Sequence, residues 1–135
     1  MTIILDASAL LRFLDDEPGA ERVQQLLSRA RRGEVELLMS AVNWGELIYA
    51  VARKSGADAA RALAAKLSTL PLDIVPCDVD DATEAGLFKE RFKVPYADAF
   101  AGSLALRRSA TLVTADYDFK GLPSGTLKID FLPTK

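Results

Sequence analysis

Short aliphatic segments alternate with longer helical patterns along this chain, and this alternation constrains the fold more than any other feature of the sequence. The short segments have the length and composition of buried strands, and they lie at residues 2–5, 35–39, 74–75, 111–114 and 127–131. The intervening segments have helical periodicity or helix-capping residues, and they lie at residues 8–14, 18–33, 41–54, 58–70, 78–92 and 97–107. We therefore predict an α/β fold, with a central parallel sheet of about four to five strands flanked by helices on both faces.

The length and composition predict one globular domain. The 135 residues suffice for a single core, so we expect residues 1–135 to form one domain. Half of the residues are hydrophobic, and the single cysteine, Cys77, cannot form an internal disulfide and favours a reducing compartment. No basic leader and no uncharged apolar run of about 18 residues is visible, so we expect a cytoplasmic protein without a membrane span.

The absence of histidine from this sequence limits the chemistry available. It excludes a Ser-His-Asp or Cys-His nucleophile and a zinc site with histidine ligands. General-base chemistry would depend on carboxylates, lysine or metal-bound water. The net charge of −2 argues neither for nor against a nucleic-acid partner, because bound cations reverse the local sign of an acidic site.

Three aspartates are expected near the carboxyl ends of strands, where open parallel sheets form their active sites. Asp6 directly follows the first predicted strand, and Asp116 follows the strand at 111–114. Asp98 lies in the first turn of a predicted helix, where the helix dipole favours an anion. Small residues share its helix face and should let the helix backbone approach the sheet, namely Ala101, Gly102 and Ala105.

Glu46 is a fourth acidic candidate, and it lies at the edge of the apolar stripe of its helix. A glutamate beside apolar residues is unfavourable unless it is paired or bound to a cation. Asn43 lies three residues earlier on the same helix face and is placed to orient Glu46. The simpler interpretations are a solvated helical residue for Glu46 and an ordinary polar helical residue for Asn43.

The aspartates also have ordinary structural interpretations. Asp6 could cap the following helix, Asp98 could be a first-turn acid, and Asp116 could be a turn residue. These interpretations do not explain why separate acids converge on one edge of the sheet. Carboxylates at short range repel each other unless they are protonated or share a cation. Oxygen ligands with no histidine or cysteine nearby favour Mg²⁺ or Mn²⁺.

Four segments of the chain resemble the PIN-domain pattern in order and spacing, in particular that of VapC-type toxins from bacterial toxin–antitoxin pairs. The segments are Ile3-Ile-Leu-Asp6-Ala-Ser8, Ser40-Ala-Val-Asn-Trp-Gly-Glu46-Leu, Tyr96-Ala-Asp98-Ala-Phe-Ala and Leu112-Val-Thr114-Ala-Asp116-Tyr-Asp-Phe119. This resemblance spans essentially the whole chain. It implies a metal-dependent endoribonuclease that cleaves RNA phosphodiester bonds with a metal-activated water and leaves 5′-phosphate and 3′-hydroxyl ends.

The resemblance also implies roles for the four acids. They fall on the family's acidic positions and are expected to be catalytic and metal-binding residues: Asp6, Glu46, Asp98 and Asp116. Asp6 and Asp98 match the usual direct ligands of Mg²⁺, with Mn²⁺ as the other candidate ion. One departure is the pair Gly102-Ser103, which stands where many relatives have an isoleucine-alanine type pair and should affect packing rather than chemistry.

Supporting residues surround these positions. Ser8 and Thr114 match the family's hydroxyl positions near the metal, and Asp118 offers another carboxylate near Asp116. Arg12, two turns beyond Asp6, is a candidate to contact RNA. Solvated surface is the simpler interpretation of most other basic residues.

The resemblance further implies an RNA substrate, a cognate antitoxin protein and a homodimer. The apolar stripe of Leu63, Leu67 and Leu70 is more typical of a core than of an interface, although Trp44 and Tyr49 could extend it into a groove for a partner helix.

The alternatives within the family are a stand-alone RNA-maturation nuclease and a non-catalytic RNA- or protein-binding module. Two other classes of acidic site fit poorly. A haloacid dehalogenase-type phosphatase needs an aspartate at the place of Ser8, and a receiver domain needs an acidic pair where Asp6 stands alone.

Overall fold

The computed structural model describes residues 1–134, and in them strands and helices alternate as the sequence predicts. The strands are β1 (Thr2–Leu5), β2 (Glu36–Ser40), β3 (Asp73–Val75), β4 (Thr111–Thr114) and β5 (Lys128–Phe131). The helices are α1 (Ala7–Leu14), α2 (Ala20–Arg31), α3 (Ala41–Ser55), α4 (Ala57–Leu67), α5 (Val79–Phe92) and α6 (Tyr96–Arg107), with a 3₁₀ turn at Tyr117–Gly121. No helix within residues 1–134 has both the length and the apolar character needed to cross a bilayer.

The five strands form one parallel sheet in the order β3-β2-β1-β4-β5. The first strand is central, and its residue Ile4 is aligned with Leu38 of β2 on one side and with Leu112 of β4 on the other. Because the strands are parallel, their carboxyl ends lie at the same edge. The chain leaves β1 at Asp6 and β4 near Asp116 on this edge, which confirms the predicted placement of these two segments.

Each face of the sheet supports a separate hydrophobic cluster, so the prediction of helices on both faces is confirmed. On one face, strand residues such as Leu5 and Met39 pack with residues of α1 and α2, including Leu10 and Val23. On the other face, Ile4, Leu38 and Leu112 pack with residues of α6. Successive strand side chains point to opposite faces, which accounts for this division. The leucines Leu63, Leu67 and Leu70 belong to or pack against the first cluster, as the core interpretation predicts.

Helix α4 is shorter than the predicted segment 58–70, because it ends at Leu67. Ser68 and Thr69 donate hydroxyl hydrogen bonds to the carbonyls of Ala65 and Lys66, at 2.6 and 2.7 Å. Local bonds of this type compete with continued helix, so the chain turns before Pro71. The 3₁₀ turn also begins later than the predicted turn at 115–119, since the Asp116 carboxylate accepts a hydrogen bond from the backbone N–H of Asp118.

Small residues allow α6 to pack closely on two sides. Ala101 and Ala105 lie against the sheet, as the sequence predicts. The prediction that Gly102 faces the sheet is wrong, because this residue lies against α5 instead. A Cβ atom at Gly102 would be 2.5 Å from the Phe88 ring, so the glycine permits the close contact between these two helices. Asp98 lies in the first turn of α6, so these packing contacts fix its position.

Candidate active site

The four acids singled out from the sequence line one pocket of about 230 Å³ at the carboxyl edge of the sheet. They are Asp6, Glu46, Asp98 and Asp116. Asp118 lies beside this group, since its carboxylate oxygen and those of Asp98 and Asp116 all lie within 4.8 Å of one another. Acids from the end of β1, from α3, from α6 and from the turn after β4 therefore meet at one place, which the ordinary interpretation of each acid does not predict.

Asp6 has the capping role considered for it and also lies in the acidic pocket, and its role as a metal ligand remains a prediction. As the N-cap of α1, its Oδ1 accepts hydrogen bonds from the Ala9 N–H at 3.0 Å and from the Ser8 hydroxyl at 2.7 Å. Its Oδ2 accepts a hydrogen bond from the Thr114 hydroxyl. A carboxylate has about four lone-pair positions, so one position on Oδ2 is left for a further partner. The side chain is 3% exposed, and burial raises its pKa to about 6 against the opposing effect of these hydrogen bonds.

Two hydroxyl groups join the ends of the central strands. The Ser8 and Thr114 hydroxyls lie 3.2 Å apart. Ser8 accepts a hydrogen bond from the Ala115 N–H at 2.9 Å, and Thr114 accepts one from the Asp116 N–H at the same distance. The two side chains thus hold the Asp6 carboxylate and the start of the turn that carries Asp116 in one network.

Asp98 is the acid with the greatest electrostatic cost. It is 5% exposed, and its Oδ2 is buried without a hydrogen-bond partner among the described residues. Burial raises its pKa to about 9, and the neighbouring Asp116 carboxyl group and the charges of Asp6 and Glu46 raise it further. The charge of Asp116 also raises the pKa of the exposed Asp118. Without a cation, Asp98 therefore retains its proton at pH values where an isolated carboxyl group has lost it.

Asn43 connects Glu46 to the helix that carries Asp98. The fully buried Asn43 amide donates to Glu46 Oε1 and to the Ala97 carbonyl, both at 3.1 Å. Its own Oδ1 is buried without a partner among residues 1–134. These contacts place Asn43 where it can orient Glu46, and the proposed supporting role remains a prediction.

Arg12, the residue predicted to contact RNA, is hydrogen-bonded to backbone carbonyl groups of the protein itself. Its guanidinium donates to the Pro18 and Pro133 carbonyls, each at 2.7 Å, and joins the α1–α2 loop to the chain after β5. These bonds give Arg12 a structural role, and its RNA contact remains a prediction.

The apolar side of the pocket is not among the features predicted from the sequence. Ala7, Leu11, Tyr49 and Ala50 line it together with the acids. Helical spacing could have predicted the part contributed by α3, because Tyr49 and Ala50 follow Glu46 by three and four residues and therefore share its helix face.

Comparisons with known proteins agree with this architecture. The sequence profile of the PIN domain family matches residues 3–124. Ribonuclease VapC30 of Mycobacterium tuberculosis and VapC ribonuclease Mb0640 of Mycobacterium bovis are each 27% identical over 134 residues, covering 94% of this chain and 99% of the relative.

Two solved structures illustrate the likeness in fold. VapBC2 from Rickettsia felis, bound to a DNA fragment from its promoter, has a TM-score of 0.76 and 20% identity, and the match covers 98% of this chain and 100% of that chain. VapC20 of Mycobacterium tuberculosis, a sarcin-ricin loop cleaving toxin, has a TM-score of 0.66 and 17% identity, over 87% of this chain and 92% of that chain.

Proposed function

Because the chain belongs to the PIN domain family, we propose that it is a divalent-metal-dependent endoribonuclease and the toxin of a toxin–antitoxin pair. The observation that carries this proposal is the convergence of four acids from separate elements on one pocket. The relatives named as VapC ribonucleases, which match nearly their whole length, support the choice of RNA as substrate.

The residues at the pocket fit a hard divalent cation. The Asp98 Oδ2 atom is buried and lacks a hydrogen-bond partner within the described residues, and Asp6 Oδ2 has a remaining lone pair. The ligands on offer are carboxylate oxygens, with no histidine anywhere in the sequence, which suits Mg²⁺ or Mn²⁺ better than zinc. We propose that Asp6 and Asp98 bind the ion directly and that Asp116 and Glu46 complete the acidic surroundings.

The chain's own residues prepare this site. Ser8 and Thr114 fix the Asp6 carboxylate through hydrogen bonds, and Asn43 fixes Glu46. When bound, the cation supplies a Lewis acid that neutralises the phosphate and lowers the pKa of an attacking water. Hydrolysis adds that water to phosphorus and breaks the bond to the 3′ oxygen, so the products carry a 5′-phosphate and a 3′-hydroxyl.

A protein partner is proposed as well. A second pocket, of about 350 Å³, lies between α1, α3 and α4, and it shares Leu11 and Ala50 with the acidic pocket. Its other apolar lining residues are Leu14, Val51 and Leu63. We propose that a short antitoxin covers this surface, that the toxin forms a homodimer, and that both act in the cytoplasm.

Incubation of the purified, partner-free protein with total RNA tests the enzymatic proposal. We expect cleavage with Mg²⁺ or Mn²⁺, no cleavage with EDTA, and 5′-phosphate ends at the cut positions. The matched control is Asp98→Asn, which keeps the size of the side chain and removes its charge. Cleavage that persists in EDTA, or that Asp98→Asn retains in full, would contradict the proposal.

Expression in a bacterial host tests the toxin role. We expect expression to arrest growth, Asp98→Asn to abolish the arrest, and the product of a neighbouring short gene to relieve it by binding the protein. Normal growth with active, partner-free nuclease would contradict the toxin role while leaving the nuclease proposal intact.

A further inference from the structure

The pocket that contains the acids has a second, apolar side. Ala7, Leu11, Tyr49 and Ala50 form this side, which is continuous with the carboxylates. We call these four residues the apolar wall. A site for an ion alone needs no such wall, because a hard cation is bound by oxygen atoms. The mixed lining of the pocket therefore indicates a ligand with an apolar part joined to a part that binds the metal.

Tyr49 is the distinctive residue of the apolar wall. It lies three residues after Glu46 on α3, and it is 66% exposed. An aromatic ring of this exposure gains free energy when a planar ligand covers it. Because most of its side chain is exposed, Tyr49 contributes little to the core, whereas Leu47 on another side of the same helix is fully buried.

We infer that the apolar wall receives one unpaired nucleobase next to the scissile phosphate, with the base stacked on Tyr49. This inference rests on the proposed ribonuclease function and names the residue that contacts the substrate base. In RNA a base and its phosphate are joined through one ribose, so a phosphate at the acidic side places a neighbouring base within reach of the wall. The pocket volume of about 230 Å³ lies below the roughly 300–1,000 Å³ typical of sites for drug-sized ligands, which suits one base rather than a base pair.

Two consequences for specificity follow. A base that enters the pocket must leave its helix, so the enzyme cuts single strands or loops in preference to duplex RNA. Stacking on an aromatic ring is available to every base, so this contact alone tolerates any base at the position. A protein partner is the alternative ligand that could cover the exposed Tyr49 ring. The continuity of the wall with the acids favours RNA, because the same ligand then uses both sides of the pocket.

The test combines protein variants with RNA that lacks single bases. A single-stranded oligonucleotide with one mapped cut is prepared in a series, each member having an abasic ribose at one position near the cut. Steady-state kinetics are measured in Mn²⁺ for the wild type, Tyr49→Ala and Tyr49→Phe. Leu87→Ala is the control, since Leu87 is 61% exposed and lies on α5, outside this pocket.

We expect Tyr49→Ala to raise KM about tenfold with little change in kcat, and Tyr49→Phe and Leu87→Ala to behave as wild type. At one position next to the cut, removal of the base should raise the wild-type KM by a similar factor and leave that of Tyr49→Ala unchanged. This non-additivity distinguishes a direct contact from a general effect on folding.

Additive effects at every position would overturn the inference, even if the wild type cleaves RNA. Unchanged kinetics for Tyr49→Ala would also overturn it. Absence of RNA cleavage by the wild type would instead overturn the proposed function, and this inference with it.

Discussion

Asp98 in the first turn of α6 and Asp116 after β4 bring their carboxylate oxygens to within 4.8 Å of each other. One of these acids, Asp98, is almost completely buried. Two like charges at this distance in a poorly solvated place are unfavourable, so the pair must keep a proton or acquire a cation.

Asp98→Asn should stabilise the metal-free protein while it abolishes cleavage. The pKa of Asp98 is raised to about 9, mainly by burial, so at neutral pH folding requires this group to take up a proton or to bury its charge. Asparagine removes that requirement. One pKa unit corresponds to about 1.4 kcal/mol, and we expect the free energy of unfolding in EDTA to rise by about 1–3 kcal/mol. Urea denaturation measures this change.

The control for this substitution is Glu84→Gln, which neutralises an exposed acid of α5. We expect it to change the free energy of unfolding by no more than about 0.5 kcal/mol. If Asp98→Asn instead lowered the free energy of unfolding, as truncation of a packed side chain does, the electrostatic explanation would be contradicted.

The stability of the metal-free protein should fall as the pH rises from about 4 towards 9. Asp6 and Asp98 have folded-state pKa values of about 6 and about 9, above the ordinary aspartate value of 3.8. Over this range the folded protein binds more protons than the unfolded chain, so a higher pH favours unfolding. Saturating Mn²⁺ should weaken or reverse the slope, because the cation binds the charged carboxylates. Urea denaturation at several pH values, with EDTA or Mn²⁺, checks both slopes. A rising slope in EDTA would contradict the assignment.

Thr114→Val should impair the site although it preserves the shape of the side chain. The Thr114 hydroxyl donates to Asp6 and accepts from the Asp116 N–H, so valine leaves the buried Asp6 carboxylate and the part-buried Asp116 N–H without this partner. We expect a loss of about 1–3 kcal/mol in the free energy of unfolding and a fall in kcat/KM of at least about tenfold. Thr111→Val, at the start of the same strand, is the control and should change kcat/KM by less than about twofold. Equal kcat/KM values for the two variants would exclude a role for the Thr114 hydroxyl.

Gly102→Ala should destabilise the protein through a clash between α5 and α6. The added Cβ atom would lie 2.5 Å from the Phe88 ring, and overpacking of this kind costs about 1–3 kcal/mol. Gly86→Ala provides the matched control, since a Cβ there meets no atom within 4 Å and the helix gains up to about 1 kcal/mol. Thermal denaturation of both variants, and of Gly102→Ala combined with Phe88→Leu, tests the explanation. If the second substitution does not restore stability, the clash is not the cause.

Much of the fold follows from local pattern. The strand segments, their parallel direction and the meeting of Asp6 with Asp116 depend on rules that act within a few residues or on the geometry of every parallel sheet. The capping role of Asp6 and its place in the pocket are both confirmed, because a residue at the end of a strand can serve the next helix and the sheet edge together.

Other features depend on contacts between distant parts of the chain, and local pattern does not contain them. Periodicity puts Gly102 on the same side of α6 as Asp98, but only the docking of α5 determines that Gly102 meets Phe88. Arg12 bonds to the carbonyl of Pro133, 121 positions away, and Asn43 bonds to the carbonyl of Ala97 in another helix. Such partners are set by tertiary packing.

Calorimetric titration of Mn²⁺ into the RNA-free protein tests the central claim most directly, because it asks whether the converging acids hold a cation before any substrate arrives. We predict saturable binding by the wild type and affinity at least about tenfold weaker for Asp98→Asn, with Glu84→Gln unchanged. Equal affinity for the wild type and Asp98→Asn, or no binding by either, would contradict the assignment of this pocket as a metal site.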